Sequence, residues 1–211
     1  MARRTKEDAE ATRERLLDAA EQVFYVRGVS GASLADVANR AGLTRGAVYW
    51  HFKDKLDLFD AMMQRATLPI EQVLEGGQQG SESQSPVGRI VRRLAFIAHA
   101  VSTDERVRRV FEIVMFKIEH VGEMVAVQQR WVLGVDRFIS LLEQDLAMAY
   151  EELDAVPALS AGLAAKGLQV LFDGLLHAWL LRQGSFSLED EGRQLVQFYL
   201  RGLGLAADVW S

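Results

Sequence analysis

The chain has 211 residues, a net charge of −5, 49% hydrophobic residues, three prolines and no cysteine. That length suits one or two domains with a sizeable core, and the missing cysteine excludes disulfides, thiolate metal sites and a cysteine nucleophile, which fits a reducing cytoplasm. The Arg- and Glu-rich start is not a signal peptide, and no run of about 18 apolar residues is present, so a cytoplasmic location without membrane contact is expected.

Charge is uneven along the chain. Residues 1–55 hold 10 Lys and Arg against 8 Asp and Glu, and residues 56–211 hold 14 against 21. Positive charge therefore collects in the first quarter.

Residues 1–6, MARRTK, read as a short basic arm carrying Arg3, Arg4 and Lys6. Glu7–Arg27 predicts a first helix with Leu16, Ala20, Val23 and Phe24 on its core stripe. Gly28 ends it. Ser33–Ala41 predicts a second, short helix with Ser33 as N-cap and Asp36 three residues on. Its apolar face is Leu34, Val37, Ala38 and Ala41, and Gly42 supplies a left-handed stop. Leu43 fills the turn, and Thr44 caps the next helix.

That third helix, within TRGAVYWHFKDK (Thr44–Lys55), has the wrong composition for an ordinary surface helix. Only Val48 and Phe52 make an apolar stripe. Tyr49, Trp50 and His51 fan over much of the remaining surface at about 100° per residue. Large aromatic groups on a solvent side need a reason. Helix, tight glycine turn and second helix form the helix-turn-helix plan, whose second helix enters the major groove of DNA. Arg45 suits base readout, since it can pair bidentately with guanine, and Ala47, beyond Gly46, suits a thymine methyl. Thr44, Tyr49, Trp50, His51 and Lys55 suit phosphates and register. Ser33 can hold a phosphate from the N-terminus of its helix. The basic arm either follows the phosphate backbone or enters the minor groove, or else is a solvated tail.

Asp54 caps a fourth helix, with Asp57 at the capping-box position, running through Leu56, Leu58, Phe59, Met62 and Met63 to about Leu74. It is the covalent link between a reading head and a body, so the functional boundary is placed near Met62: a DNA-binding domain over residues 1–61 and a ligand-binding and dimerisation domain over 62–211. Glu75–Ser85 is a loop on composition. From Pro86 onward every segment has helical period: Pro86–Val101, Asp104–Ile118, Gly122–Tyr150, Ser160–Arg182 and Leu188–Val209. The fold class is all-α, about nine helices, with no strand of any length.

The last two helices carry more apolar surface than one small body can hide. They suit either half of a two-fold four-helix bundle, hence a homodimer reading a pseudo-palindromic operator, or a monomer's central core. Asp173 and His177 share one face of an otherwise apolar helix. They suit either a hydrogen-bonded core pair or a pocket with apolar walls and a few orienting polar groups. Glu119, His120 and Glu123 do not make a metal site, because His120 points about 100° from the other two. No phosphate loop, dinucleotide fingerprint, HExxH or GxSxG is present, so neither enzyme activity nor a cofactor is expected.

Residues 1–60 resemble the DNA-binding domain of the TetR family of transcriptional repressors. The resemblance rests on TRERLLDAAEQVFYVRG, SLADVANRAGLTRGAVYWHFKDK and Leu58. MARRTKEDAEATR and GAVYWHFKDK look like its AcrR and TtgR branch, local repressors of multidrug efflux pumps. The resemblance continues through RRVFEIVMFKIEHVGEMVAVQQ and DGLLHAWLL. It implies a dimer through the last two helices and a hydrophobic or aromatic inducer. It also implies a pocket near Ile90, Leu94, Ile97, Phe111, Met115, Phe172, Asp173, Leu176 and His177. Phe111 and Met115 stand where TtgR has polar groups, which makes the implied pocket greasier. Two other readings remain. One is a regulator of the same fold for a metabolite such as an acyl-CoA, for which Arg92, Arg93, Arg108 and Arg109 could supply a basic mouth. The other is a helical ligand-binding dimer without DNA binding, against which the intact third helix speaks.

Overall fold

The structure, a computed structural model, describes residues 2–76, 85–118, 124–152 and 156–205. Among them lie nine helices and no strand: α1 (Ala2–Arg27), α2 (Leu34–Ala41), α3 (Arg45–His51), α4 (Lys55–Gly76), α5 (Pro86–Thr103), α6 (Glu105–Phe116), α7 (Met124–Glu151), α8 (Ala161–Leu181) and α9 (Leu188–Gly202). No described helix is long and apolar enough to cross a membrane. The residues set aside as a metal triad, Glu119, His120 and Glu123, lie outside the described residues, as does most of the loop after α4.

The chain folds as two compact units. One holds residues 1–68 and 106–129, the other 69–105 and 130–211. In the first, α1 supplies Leu16, Leu17, Ala20 and Phe24 to a core completed by Val37, Val48, Phe52, Leu58, Phe59 and Met62, all buried. The rings of Phe24 and Phe59 meet at 5.7 Å in a tilted pair. Each Leu- or Phe-sized group so buried contributes roughly 1.5–3 kcal/mol. Arg15 Nη2 donates to the Ala41 carbonyl at 2.8 Å, which ties the end of α2 to α1.

Helix α6 is tied to α1 in this unit by a set of charged contacts. Glu21 of α1, only 3% exposed, accepts from Arg109 Nη1 at 2.7 Å and from Arg65 Nη2 of α4 at 3.3 Å. Arg106 approaches the same carboxylate at 3.7 Å and Asp18 at 3.2 Å. Burial pushes the Glu21 carboxyl above its ordinary range, against the opposing pull of Arg109, Arg65 and Arg106. Arg109 and Lys117 both sit over the Tyr25 ring at 5.9 Å.

The second unit is built on α5, α8 and α9 with the latter part of α7. Ile90, Leu94, Val101, Leu142, Leu146, Leu168, Phe172, Leu176, Val196 and Leu200 form its core. A buried ion cluster crosses it. Asp145 accepts from Arg89 Nε at 2.7 Å and pairs with Arg93, whose Nε also donates to the Leu74 carbonyl at 3.3 Å. The Tyr199 hydroxyl donates to the Ala164 carbonyl at 2.9 Å. Gly167 makes that approach possible, because a Cβ there would stand 2.3 Å from the hydroxyl oxygen.

Four expectations are corrected. Residues 2–6 continue α1 and are not a separate arm, since nothing in ARRTKE breaks a helix. Helix α6 stops at Phe116, short of Ile118, and the Lys117 carbonyl turns to accept from Val29 N at 3.0 Å. Helix α9 stops at Gly202, well short of Val209. Gly204 is left-handed (φ 81°) and Leu205 N folds back to the Leu200 carbonyl at 3.0 Å, a closed C-terminal motif. Asp57 does not complete a capping box on α4. Its amide binds Asp54 Oδ1 at 2.8 Å, but its carboxylate takes Lys53 N at 2.9 Å. One feature escaped the pattern reading altogether. Pro69 stands inside α4 and removes one rung of its ladder at the border between the two units.

Candidate nucleic-acid interface and ligand residues

The first unit presents α3 by local rules. Ser33 and Asp36 form a full capping box at α2, with the Ser33 hydroxyl accepting from Asp36 N and donating to Asp36 Oδ2. These hydrogen bonds from Ser33, with Arg27 nearby, hold the Asp36 carboxyl below its ordinary range. Gly42 is left-handed (φ 64°), and Leu43 N closes on the Ala38 carbonyl at 2.9 Å. Thr44 Oγ1 accepts from Ala47 N at 3.2 Å, and α3 follows.

Val48 and Phe52 are buried, whereas Tyr49 is 61% and Trp50 72% exposed. Arg45 and Gly46 are exposed, and Ala47 is half-buried beside them. The helix thus holds its apolar stripe in the core and offers its aromatic face and its arginine to solvent. His51 is half-buried, edge-to-face with Trp50 at 4.5 Å. Burial, with Arg13 near it, lowers its pKa below the ordinary imidazole value, so the ring is neutral at pH 7 and offers hydrogen bonds rather than charge.

Two expected phosphate ligands already have partners in the protein. The Lys55 ammonium donates to the carbonyls of Ser30 and Ala32 at 3.4 and 3.3 Å, closing the α1–α2 turn onto the start of α4. The Ser33 hydroxyl is committed to Asp36. Sequence spacing carried no sign of the Lys55 contact, which spans more than twenty positions.

The expected ligand residues fall in both units. In the first, Phe111 is buried and Met115 half-buried. In the second, Ile90, Leu94, Ile97, Phe172 and Leu176 are buried, and Asp173 is half-buried. Asp173 takes a hydrogen bond from the Gln169 amide, and burial raises its pKa to about 6. His177, one turn on, is exposed on this chain, not walled in by apolar groups. The second unit has a cleft of about 280 Å³ between α5, α8 and α9. Of the expected residues, Leu94 and Phe172 line it, with Val91, Ala95, Ala98, Gly192, Val196, Glu189, Asp190 and Arg193. The basic mouth imagined for an acyl-CoA is thinned in each unit, because Arg93 is buried against Asp145 and Arg109 against Glu21.

Residues 16–62 match the family model described as bacterial regulatory proteins, tetR family. Residues 85–205 match the model described as MAATS-type transcriptional repressor, C-terminal region. The chain is 36% identical over 200 residues to the HTH-type transcriptional regulator AcrR of Shigella flexneri, covering 95% of this chain and 93% of that protein. Among solved structures it resembles NalD, the secondary repressor of the MexAB-OprM multidrug efflux pump in Pseudomonas aeruginosa. There the TM-score is 0.82 and the identity 34%, over 96% of this chain and 99% of that one. It also resembles SmeT in complex with triclosan, with a TM-score of 0.81 and 29% identity over 95% of each chain.

Proposed function

The chain belongs to the TetR family of bacterial regulatory proteins, and we propose that it represses a multidrug efflux pump operon and leaves its operator when a hydrophobic or aromatic drug binds. As a member of that family it is a DNA-binding regulator rather than an enzyme. The observation that carries the DNA half of the reading is the split face of α3, with Val48 and Phe52 in the core and Tyr49, Trp50 and Arg45 outside. The likeness to NalD and to triclosan-bound SmeT supports the drug half.

In this reading residues 1–61 read DNA and residues 62–211 hold the drug and pair two copies. Leu163, Val170 and Leu181 share an exposed face of α8, and Phe198 and Leu195 an exposed face of α9. A second copy that covers these faces yields a homodimer with two reading helices. Those helices then enter major grooves about 34 Å apart. Arg45 reads guanine and Ala47 a thymine methyl, while Thr44, Gly46, Tyr49, Trp50 and His51 fix the register on the backbone, and Lys55 and Ser33, engaged within the protein, hold the turn and the cap that present the helix. The drug contacts Ile90, Leu94, Ile97, Phe172, Asp173, Leu176 and His177 in the second unit. It favours a state with the wrong head spacing, so drug and DNA weaken each other by one common factor.

The test is fluorescence anisotropy on the duplex just upstream of the gene, with a scrambled control, with and without a planar aromatic antibiotic. Specific binding released by the compound is expected. Specific binding that ignores the compound rejects the drug half, and equal binding to scrambled DNA rejects the DNA half.

A further inference from the structure

We propose that Lys53, in the short connection between α3 and α4, is the phosphate-binding lysine of the reading head, in the place that sequence spacing gives to Lys55. The inference rests on the DNA reading above and adds a contact to it.

Three cations stand around the C-terminal end of α3, and two of them are engaged inside the protein. The Arg13 guanidinium lies over the Phe52 ring at 5.6 Å and 3.7 Å from Glu14. The Lys55 ammonium is turned back to the carbonyls of Ser30 and Ala32, at 3.4 and 3.3 Å. Lys55 is half-buried and Ala32 is buried. Swinging the ammonium out to a phosphate takes that donor from a carbonyl with little access to water, which is costly. The Lys53 side chain is exposed. His51, neutral at pH 7, brings no charge to this end.

The backbone aims Lys53 outward. Phe52 closes α3, with its amide on the Val48 carbonyl at 2.9 Å and its own backbone extended (φ −135°, ψ 129°). Successive side chains of an extended chain point to opposite sides. Phe52 is 2% exposed, so Lys53 faces away from the core, as Tyr49 and Trp50 do. The connection is also pinned. Lys53 N donates to Asp57 Oδ2 at 2.9 Å, and Asp57 N to Asp54 Oδ1 at 2.8 Å. The two nearby carboxylates are thereby turned to backbone amides, and the four-carbon stem of Lys53 carries its ammonium past them.

The reach of the helix fits this role. The first residues of a reading helix face base edges. At about 1.5 Å per residue, His51 stands about 9 Å beyond Arg45, and the connection follows at once. The major groove is about 12 Å wide. A helix with its first turn on the bases therefore brings Lys53 to a phosphate wall.

The experiment is fluorescence anisotropy of the full-length protein on the operator duplex and on a scrambled duplex, at salt from about 50 to 200 mM. Lys53→Gln is expected to flatten the slope of log affinity against log salt by about 0.9 per head. It should weaken both duplexes by one factor, and so leave the preference for the operator unchanged. Lys53→Arg should restore the slope. Lys55→Gln should keep the wild-type slope, lower the melting temperature and weaken the operator more than the scrambled duplex. Thermal unfolding of Lys53→Gln should match the wild type, which separates a lost contact from a lost fold. A wild-type slope in Lys53→Gln, or a flattened one in Lys55→Gln, overturns the assignment while wild-type preference for the operator upholds the DNA reading. Equal wild-type binding to both duplexes rejects that reading and this inference with it.

Discussion

The amide of Val29 donates to the carbonyl oxygen of Lys117 at 3.0 Å. One residue belongs to the turn that leads into the helix-turn-helix, the other to the end of α6. With Glu21, Arg106 and Arg109 a few turns away, the contact ties α6 to α1 and to the turn that follows it. A helix from the middle of the sequence is therefore part of the unit that presents the reading helix.

Gly28, beside this contact, is left-handed at φ 72°, and a Cβ would sit 3.3 Å from the Lys117 oxygen. Gly28→Ala should cost about 1–2 kcal/mol from backbone handedness alone. Gly134→Ala, in α7 with nothing within 4 Å, should instead stabilise by about 0.5–1 kcal/mol. Urea midpoints of the two variants should move in opposite directions.

Glu21 gathers three guanidinium groups in a buried place. Glu21→Gln leaves them without their shared counter-charge and should destabilise by about 3–5 kcal/mol. Thermal unfolding should show a large fall, and operator binding should fall with it at the growth temperature.

Pro69 leaves α4 one hydrogen bond short at the border of the two units. Pro69→Ala restores the ladder and should stabilise the helix by up to about 3 kcal/mol. A stiffer α4 should also change the drug–DNA coupling factor, read as the ratio of operator affinities with and without drug. An unchanged ratio would show that the signal does not depend on flexibility at Pro69.

The Asp173 pKa is raised from 3.8 to about 6 by burial. The folded protein therefore holds this proton more tightly than the unfolded chain, and the group's contribution to stability declines as pH rises through that window. Asp173→Asn should remove this part of the slope and stabilise the protein above pH 6. Denaturant titrations of both proteins at several pH values between 4 and 7 would show it.

Phe198 is 79% exposed on α9. If two copies pair there, Phe198→Glu places a charge in an apolar seam and should shift sedimentation to the monomer while leaving helicity intact. Operator affinity should fall, since one head binds half a site.

The reading head was legible in the sequence because its signals are local. A cap, a left-handed glycine and an apolar stripe are each decided within three or four positions, and Ser33, Gly42, Thr44 and Val48 all obeyed them. Tyr49 and Trp50 stood out because they broke the pattern a core-facing helix requires. The proposed ligand residues are not legible in the same way. Ile90, Leu94 and Leu176 are buried apolar groups like any others in the second unit, and nothing in their spacing separates a pocket wall from a packed core.

What tertiary structure alone decided concerns contacts between distant positions. Glu21 and Arg109 are 88 positions apart, and the Lys55 ammonium reaches carbonyls more than twenty positions back. No helical period encodes such meetings, because they depend on how finished helices pack. The same holds for the seam where Ala95, Ala98 and Gly192 leave room. Periodicity fixes which face of a helix is apolar, while the space between two such faces is set only when both are in place.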